Sequence, residues 1–322
     1  MRYLCARLGH GVLVLLGVSA LSFLLAEVAP GSSFDELRLD PRVSPATLAA
    51  MRDRYGLNQS LPTKYGHWLQ SIARGEMGFS VAYNRPVAPL LWPRVRNTLL
   101  LTVPATVLAW LIAVPVGTWA ASRKGGWVDS AAAGATTALL GVPDLLLGLG
   151  LLLLAVRSGA FPTGGMVSVG FDQLGPWQKI QDVLSHFLLP VTALILVYLP
   201  VLVRHVRASL IEVLQAPFIR AARATGIPEQ RLLFRHALRA AANPLITLLG
   251  LSVGGLLSAS LVIETIMSWP GLGPLLLEAV AARDLHVVVA AVTCSTVLLI
   301  VGNLLADGLL YVADPRIRPS RA

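Results

Sequence analysis

Apolar residues in this chain fall into six long runs instead of alternating with polar residues. Several of the runs exceed the roughly 18 consecutive residues that an α-helix needs to cross a bilayer. Continuous runs of this length are typical of membrane-spanning helices. The pattern predicts an all-α integral membrane protein with six transmembrane helices. The runs cover residues 8–28, 97–121, 128–156, 186–203, 240–266 and 287–312.

The polar stretch between the first two runs is rich in proline and glycine and too poor in apolar residues to cross a membrane. Ser44 and Pro45 form a typical helix start, because serine caps the first turn and proline fits the first helical position. We therefore expect one short helix that starts there and ends at Gly56. A second short helix is expected from Pro62 to about Gly75.

The basic residues indicate which loops face the cytoplasm, because short loops rich in arginine and lysine stay on that side. Six crossings place four basic segments on the same side of the membrane. They are the basic start, the Arg123–Lys124 turn, the arginine-rich stretch and the basic tail. Both termini are then cytoplasmic. The resulting divisions are a cytoplasmic start with the first helix (1–29), an external segment (30–96), a core of five helices (97–312) that contains a cytoplasmic loop (204–239), and a cytoplasmic tail (313–322).

The loop 204–239 carries seven arginines and two acidic residues. Ile211, Leu214 and Phe218 follow the spacing of one helical face within it. On composition alone, such a loop could do no more than set the membrane topology. The order of its residues indicates a further role for the loop.

A short helix is predicted inside this loop. Pro217 cannot sit inside a regular helix but fits its first position, and Gly226 suits the residue just past a helix end. The helix would cover 217–225, about 13 Å at roughly 1.5 Å per residue. Pro228 can open the next helix. We expect the short helix to lie across the cytoplasmic ends of the two flanking spans.

The eight residues of 219–226 resemble the cytoplasmic loop motif of ABC importer permeases, commonly written E-A-A-x-x-x-G. They are most similar to the R-T-A-R-A-K-G version of the oligopeptide, dipeptide and nickel branch. Arg220 stands where the broader family has glutamate, and 236–239 departs from the expected I-x-L-P. In that family the short helix couples to a groove of the ATPase subunit. The resemblance assigns ATPase coupling to Pro217, Phe218, Ile219, Arg220, Ala221, Ala222, Arg223, Ala224, Thr225 and Gly226.

Further motifs extend the resemblance over nearly the whole chain. Residues 264–273 are similar to the E-T-x-F-S-W-P-G-L-G element of the same branch, with Met267 in place of phenylalanine. Residues 303–316 resemble its N-x-L-x-D-x-L-Y-x-x-x-D-P-R end. Trp269 is expected to anchor at the membrane interface. The glycine- and serine-rich fifth run is expected to form a close packing or subunit interface.

Several polar residues fall inside or at the ends of apolar runs, where burial of a charge is costly. Asp144 follows Pro143, so it either caps a helix that breaks there or faces a polar pathway, and we favour the cap. Asn303, Asp307 and Tyr311 recur every four residues along one face of the last run. The candidate pathway or interhelix residues are Asp144, Glu264, Asn303 and Asp307.

Composition excludes several other classes of protein. With 55% hydrophobic and 13% charged residues, the chain is not a soluble globular domain. The net charge of +9 is divided among loops, which argues against nucleic acid as a partner. The two cysteines lie at opposite ends, and the six histidines are scattered. Without a phosphate-binding G-x-x-x-x-G-K-[ST] motif or a nucleophile beside a base, we expect no catalytic residue, cofactor or metal in this chain.

The resemblance implies a permease subunit of an ATP-driven ABC importer for dipeptides or oligopeptides, with the type I importer fold. It also implies a bacterial inner membrane location, a second homologous permease in a heterodimer, two ATPase subunits that bind the ATP, an external substrate-binding protein and surrounding lipid. Nickel or glutathione import by the same branch is an alternative. A self-contained ion channel or membrane enzyme is a second alternative from a different class.

Overall fold

The computed structural model describes residues 2–28 and 59–313, and within the first helix it describes the side chains of residues 7–25 and 28. Helices dominate these residues, as the apolar runs predict. The expected helix from Ser44 to Gly56 and the tail after residue 313 lie outside the described residues. In chain order the elements are α1 (Arg2–Val28), α2 (Leu61–Ala73), β1 (Phe79–Ser80), β2 (Arg85–Pro86), α3 (Val87–Ser122), α4 (Trp127–Leu140), α5 (Asp144–Ser158), a 3-10 turn (Phe171–Gln173), α6 (Pro176–Leu214), α7 (Pro217–Ala224), α8 (Glu229–Arg231), a π-helical turn (Leu232–Ala237), α9 (Leu238–Ala240), α10 (Ala242–Ile266), α11 (Leu272–Ala281) and α12 (Leu285–Ala313).

Five helices of the described part, α1, α3, α6, α10 and α12, are long and apolar enough to cross a membrane. The third apolar run forms α4 and α5, which are bent by 96° and count as a sixth span if taken together. The positions of the six runs are therefore confirmed. α6 has 39 residues and is about 58 Å long, so it must extend well beyond a hydrocarbon core of about 30 Å.

The bend between α4 and α5 falls where Gly141 and Pro143 interrupt the apolar run. Pro143 lies just before the first residue of α5 in an extended conformation, and Asp144 is that first residue. The N-cap residue is Pro143, whose side chain makes no capping hydrogen bond. The expected break is confirmed, but the expected cap is wrong, because proline already occupies the capping position. The half-buried carboxylate instead lies at the positive end of the helix dipole.

The chain divides into two compact units, and the first combines Met1–Asn97 with Pro270–Ile300. Its apolar cluster contains Phe23 of α1, Trp68 of α2 and Val289 of α12. The Ser19 and Tyr65 hydroxyls are 2.9 Å apart and join α1 to α2. Trp68 is therefore a core residue of this unit.

A small hairpin follows α2 in the first unit, with Phe79 paired to Pro86 and Ser80 to Arg85 in antiparallel register. Asp284 holds the hairpin by accepting hydrogen bonds from the Ser80 hydroxyl (2.6 Å) and the Ala82 N–H (3.1 Å). A purely helical external segment was expected, so the hairpin is a correction to that expectation. The second apolar helix also starts earlier than residue 97, at Val87.

Tyr83 at the tip of this hairpin donates a hydrogen bond to the Glu278 carboxylate of α11. Partial burial, together with that carboxylate, raises the pKa of Tyr83 to about 12. The phenol therefore stays protonated at physiological pH and remains a donor. The contact adds a second polar attachment between the hairpin and the second half of the first unit.

The second unit combines Thr98–Trp269 with Val301–Ala322. Its largest apolar cluster includes Leu101, Leu194, Leu256, Ile263 and Trp269. The Trp269 side chain is 1% exposed, and its ring centroid lies 6.1 Å from that of Phe187. The expectation of an interfacial anchor is therefore wrong.

The small residues of α10 allow close helix packing within this unit. A Cβ atom placed on Gly250 would lie 2.9 Å from the Ala306 Cβ of α12, and one on Gly255 would overlap the Tyr198 ring of α6. The Ser252 hydroxyl accepts a hydrogen bond from the Trp110 indole N–H (3.1 Å). The predicted close packing by small residues is confirmed as an intramolecular contact.

Gly117 lets α3 approach α6. A Cβ atom there would lie 2.8 Å from the Val206 Cβ and 3.0 Å from the Val203 carbonyl oxygen. We expect Gly117→Ala to lower the free energy of unfolding by about 1–3 kcal/mol, because the backbone of a packed helix cannot move aside.

Thermal unfolding of the detergent-solubilised protein measures this change. Gly134→Ala in α4 is the matched control, since no atom beyond the neighbouring backbone of its own helix lies within 4 Å of its Cβ position. Equal unfolding temperatures for the two variants would contradict the predicted close approach.

Candidate functional site

The short helix α7 forms where Pro217 and Gly226 predict it. Ala216 is extended (φ −65°, ψ 146°), which ends the α6 path and places Pro217 at the first helical position. Gly226 adopts a left-handed φ of +79°, a conformation that favours glycine at the residue past a helix end. α7 ends at Ala224, one residue before the predicted end, and is about 12 Å long.

One side chain anchors α7 to the rest of the second unit. Ile219 is fully buried (0% exposed). It shares an apolar cluster with Ala121 at the end of α3, with Val206 and Leu210 of α6, and with Leu232 and Ala237 of the π-helical turn. Ala222, one turn later, is partly buried against the same cluster. Burial of a side chain of this size contributes about 1.5–3 kcal/mol, enough to hold an eight-residue helix that would be unstable by itself.

The opposite face of α7 is open. Phe218 is 53% exposed, which corrects the expectation that it shares one face with Ile211 and Leu214. Those two residues pack inward at the end of α6, but the chain turns at Ala216 and directs Phe218 outward. The exposed positions of this segment are Pro217, Phe218, Arg220, Ala221, Arg223, Ala224, Thr225 and Gly226.

Arg223 ties the end of α7 to the start of α8. Its guanidinium donates two hydrogen bonds to the Glu229 carboxylate, at 2.7 Å and 3.2 Å. The carboxylate raises the pKa of Arg223, so the guanidinium stays charged. Both side chains are about half exposed, so the pair contributes at most about 1 kcal/mol. Its two-pronged geometry mainly orients α7 against the returning chain.

The chain returns from α7 to α10 through α8, the π-helical turn and α9. Pro228 stands immediately before α8 instead of inside its first turn. The π-helical turn buries Leu232, Leu233 and Ala237. Nothing in the sequence predicts a π turn, because its extra residue per turn is a response to packing and has no composition of its own.

Residues 113–319 match the family described as binding-protein-dependent transport system inner membrane component, and residues 1–102 match its amino-terminal counterpart. The chain belongs to this family of ABC importer permeases. The resemblance of the loop motif to such permeases is thereby confirmed.

Full-length relatives of this permease act in peptide transport. The oligopeptide transport system permease protein AppB of Bacillus subtilis (strain 168) is 37% identical over 317 residues, which cover 98% of each chain. The dipeptide transport system permease protein DppB of Escherichia coli (strain K12) is 33% identical over 335 residues, which cover 99% of each chain.

A solved structure shares the fold of this permease. A chain of the MetNI methionine ABC transporter in its inward facing conformations matches with a TM-score of 0.56 and 17% identity. The match covers 70% of this chain and 96% of that chain. The expected importer permease fold is therefore confirmed, and the family places the chain in the inner membrane as a multi-pass protein that works with ATPase and binding-protein partners.

The remaining candidate residues of the permease occupy three different helices. Glu264 is fully buried near the end of α10, where its carbonyl oxygen accepts the Trp269 N–H (2.8 Å). Asn303 of α12 faces Gly250 of α10, with the Asn303 Oδ1 atom 3.1 Å from the glycine's Cβ position. The Asn303 side chain therefore lies where α10 and α12 pack together. Asp307 is half-buried one turn later, and Asp144 begins α5.

An ion pair that the sequence does not predict lies near α7. Arg207 of α6 binds Asp129 of α4 through two hydrogen bonds. Arg207 was only one of seven arginines, and Asp129 only a polar residue at the start of an apolar run. No local pattern connects residues so far apart in the chain. Among the described residues, no group of three or more histidine, cysteine or acidic side chains could hold a metal ion.

Ile219→Ala should release α7 from its cluster. Loss of a fully buried isoleucine costs about 2–5 kcal/mol, and the short helix has few other attachments. We expect faster tryptic cleavage after Arg220 and Arg223, quantified by mass spectrometry of the peptides released from the solubilised protein.

Phe218→Ala is the matched control, because it removes a larger side chain from the exposed face of the same helix. Its cleavage rates should stay near those of the unsubstituted protein. Equal rates for Ile219→Ala would contradict the anchoring role of this residue.

Proposed function

We propose that this permease transports dipeptides or oligopeptides through the inner membrane and that α7 is its contact with a separate ATPase subunit. The observation that carries the proposal is the division of α7 into a buried anchor, Ile219, and an open face around Phe218. A helix held on one side and open on the other is suited to enter a groove on a partner. The AppB and DppB relatives support peptides as the cargo.

Force applied to α7 would pass into the membrane-spanning helices through the Ile219 cluster. Ile219 shares its apolar cluster with side chains of α6 and α3, and α6 continues as one helix from this cluster into its apolar part. Closure of the ATPase subunits on ATP would push α7 and tilt these helices, which would alternate the access of the transport pathway. Packed interiors transmit such displacements because they are close-packed and resist compression.

The proposed assembly contains this chain, a second and different permease, two ATPase subunits that bind the ATP, and an external binding protein that delivers the peptide. Both termini and α7 would face the cytoplasm. The basic residues of the α3–α4 turn and of the loop from α6 to α10 support this orientation. The ATPase subunits would hydrolyse the ATP, so the permease itself needs no catalytic group.

Phe218→Ala should weaken coupling in the reconstituted transporter. A large aromatic side chain at the centre of a contact surface commonly carries much of the binding energy. We expect binding-protein-stimulated ATP hydrolysis and uptake of a radiolabelled dipeptide to fall together by about tenfold.

Phe161→Ala is the control, since Phe161 is also exposed but lies in the loop between α5 and α6. It should retain full activity. Failure of Ala221→Cys, on the open face of α7, to crosslink to the ATPase subunit would count against the proposal, as would full activity of Phe218→Ala.

The orientation is tested by cysteine labelling in cells, with Cys5 and Cys294 replaced. A membrane-impermeant maleimide should modify Arg220→Cys only after the inner membrane is made permeable. It should modify Val169→Cys, at a fully exposed position of the α5–α6 loop, when the outer membrane is made permeable and the inner membrane is left intact. The reverse pattern would invert the topology and exclude α7 as the ATPase contact.

A further inference from the structure

The ion pair between Asp129 and Arg207 joins the start of α4 to the last turns of α6. The Arg207 Nε–H donates to Asp129 Oδ1, and its Nη2–H donates to Oδ2 at 2.7 Å. The Asp129 side chain is 7% exposed and the Arg207 side chain 31% exposed. Two parallel charge-assisted hydrogen bonds fix the orientation of the partners as well as their separation.

A backbone contact extends this pair to the turn between α3 and α4. The Gly125 N–H donates to Asp129 Oδ2 at 2.9 Å, and Gly125 adopts a left-handed φ of +78° that favours glycine. The carboxylate therefore holds the turn on one side and α6 on the other.

The pair lies directly beside the contact that anchors α7. Arg207 follows Val206, which is fully buried in the Ile219 cluster. Gly117 brings α3 against α6 at the same level, because its Cβ position lies 2.8 Å from the Val206 Cβ. Any displacement of α7 that reaches Val206 must therefore also reach Arg207.

We propose that the Asp129–Arg207 pair locks α4 to α6, so that a displacement of α7 moves the two helices as one rigid body. The proposal rests on the proposed function, because α7 is displaced only if an ATPase subunit grips it. Asp129 and Arg207 are positioning residues that act through the helices they join. Movement of α4 then reaches α5 through the 96° bend between them.

A bidentate ion pair suits this role better than an apolar contact would. Apolar side chains can slide past one another while they stay buried, whereas sliding here would break both hydrogen bonds. It would also leave a nearly buried carboxylate without its counter-ion, which is strongly unfavourable. The pair therefore resists the relative sliding of α4 and α6 that a push on α7 would otherwise produce.

The test uses the complete transporter in liposomes, with the binding protein and a radiolabelled dipeptide. Arg207→Lys keeps the positive charge, and with it the topology signal, but removes the two-pronged geometry. Asp129→Asn keeps the side-chain volume and removes the charge. Both variants should lower peptide uptake per ATP hydrolysed by about three- to thirtyfold, while the rate of ATP hydrolysis itself is retained. Arg204→Lys, one turn earlier in α6 with an exposed side chain, is the matched control and should leave the ratio unchanged.

Spin labels at Ser130→Cys in α4 and Ala208→Cys in α6, both exposed positions, give a readout that a purely stabilising role would not affect. The reference transporter carries the two labels, has its native cysteines replaced and keeps the ion pair. In it, the distance between the labels should be the same with and without ATP. In Asp129→Asn it should become dependent on ATP.

A label distance that changes with ATP in the unsubstituted transporter overturns the proposal. Normal uptake per ATP in both ion-pair variants also overturns it. If Asp129→Asn does not assemble, the proposal is still tested by uptake per ATP in Arg207→Lys and by the label distance in the transporter with an intact ion pair. Failure of the proposed function is recognised separately, because the unsubstituted transporter would then show no stimulation by the binding protein and no crosslink from Ala221→Cys.

Discussion

The burial of Ile219 is the contact on which the functional structure of this permease depends. An isolated helix of eight residues has no stability in water, and α7 exists because its proline start, its glycine end and this one apolar side chain act together. The same contact joins α7 to the ends of α3 and α6. In the proposed mechanism, a polar residue in place of Ile219 would leave the open face around Phe218 able to bind a partner, but the force would not reach the membrane-spanning helices.

Two kinds of interaction connect the helices of the second unit. Apolar packing around Ile219 joins α7 to α6, and the ion pair from Arg207 to Asp129 joins α6 to α4. Small residues allow the close crossings that support both, at Gly117 between α3 and α6 and at Gly250 between α10 and α12. In a lipid environment such close approach supplies van der Waals contact where the hydrophobic effect between helices is weak.

The sequence predicted some features well and others poorly, and the difference has a physical basis. The membrane-spanning helices follow from the length of apolar runs alone, and α7 follows from Pro217 and Gly226, whose backbone preferences are local. Trp269 was placed wrongly because a tryptophan at the end of an apolar run looks the same whether it meets lipid or protein. In the fold, the Gly165 N–H donates to the Met267 carbonyl (3.0 Å), which shows that the α5–α6 loop packs against this region.

In the candidate site as well, some features follow from the sequence and others only from the tertiary structure. The sequence by itself determined the class of protein, the number and order of the apolar spans and the position of the short basic helix, because each depends on neighbouring residues. Only the tertiary structure decided which side of α7 is buried, that Phe218 points away from Ile211 and Leu214, and that Arg207 meets Asp129. Those outcomes depend on the path of the backbone at Ala216 and on contacts between residues far apart in the chain, which no local pattern encodes.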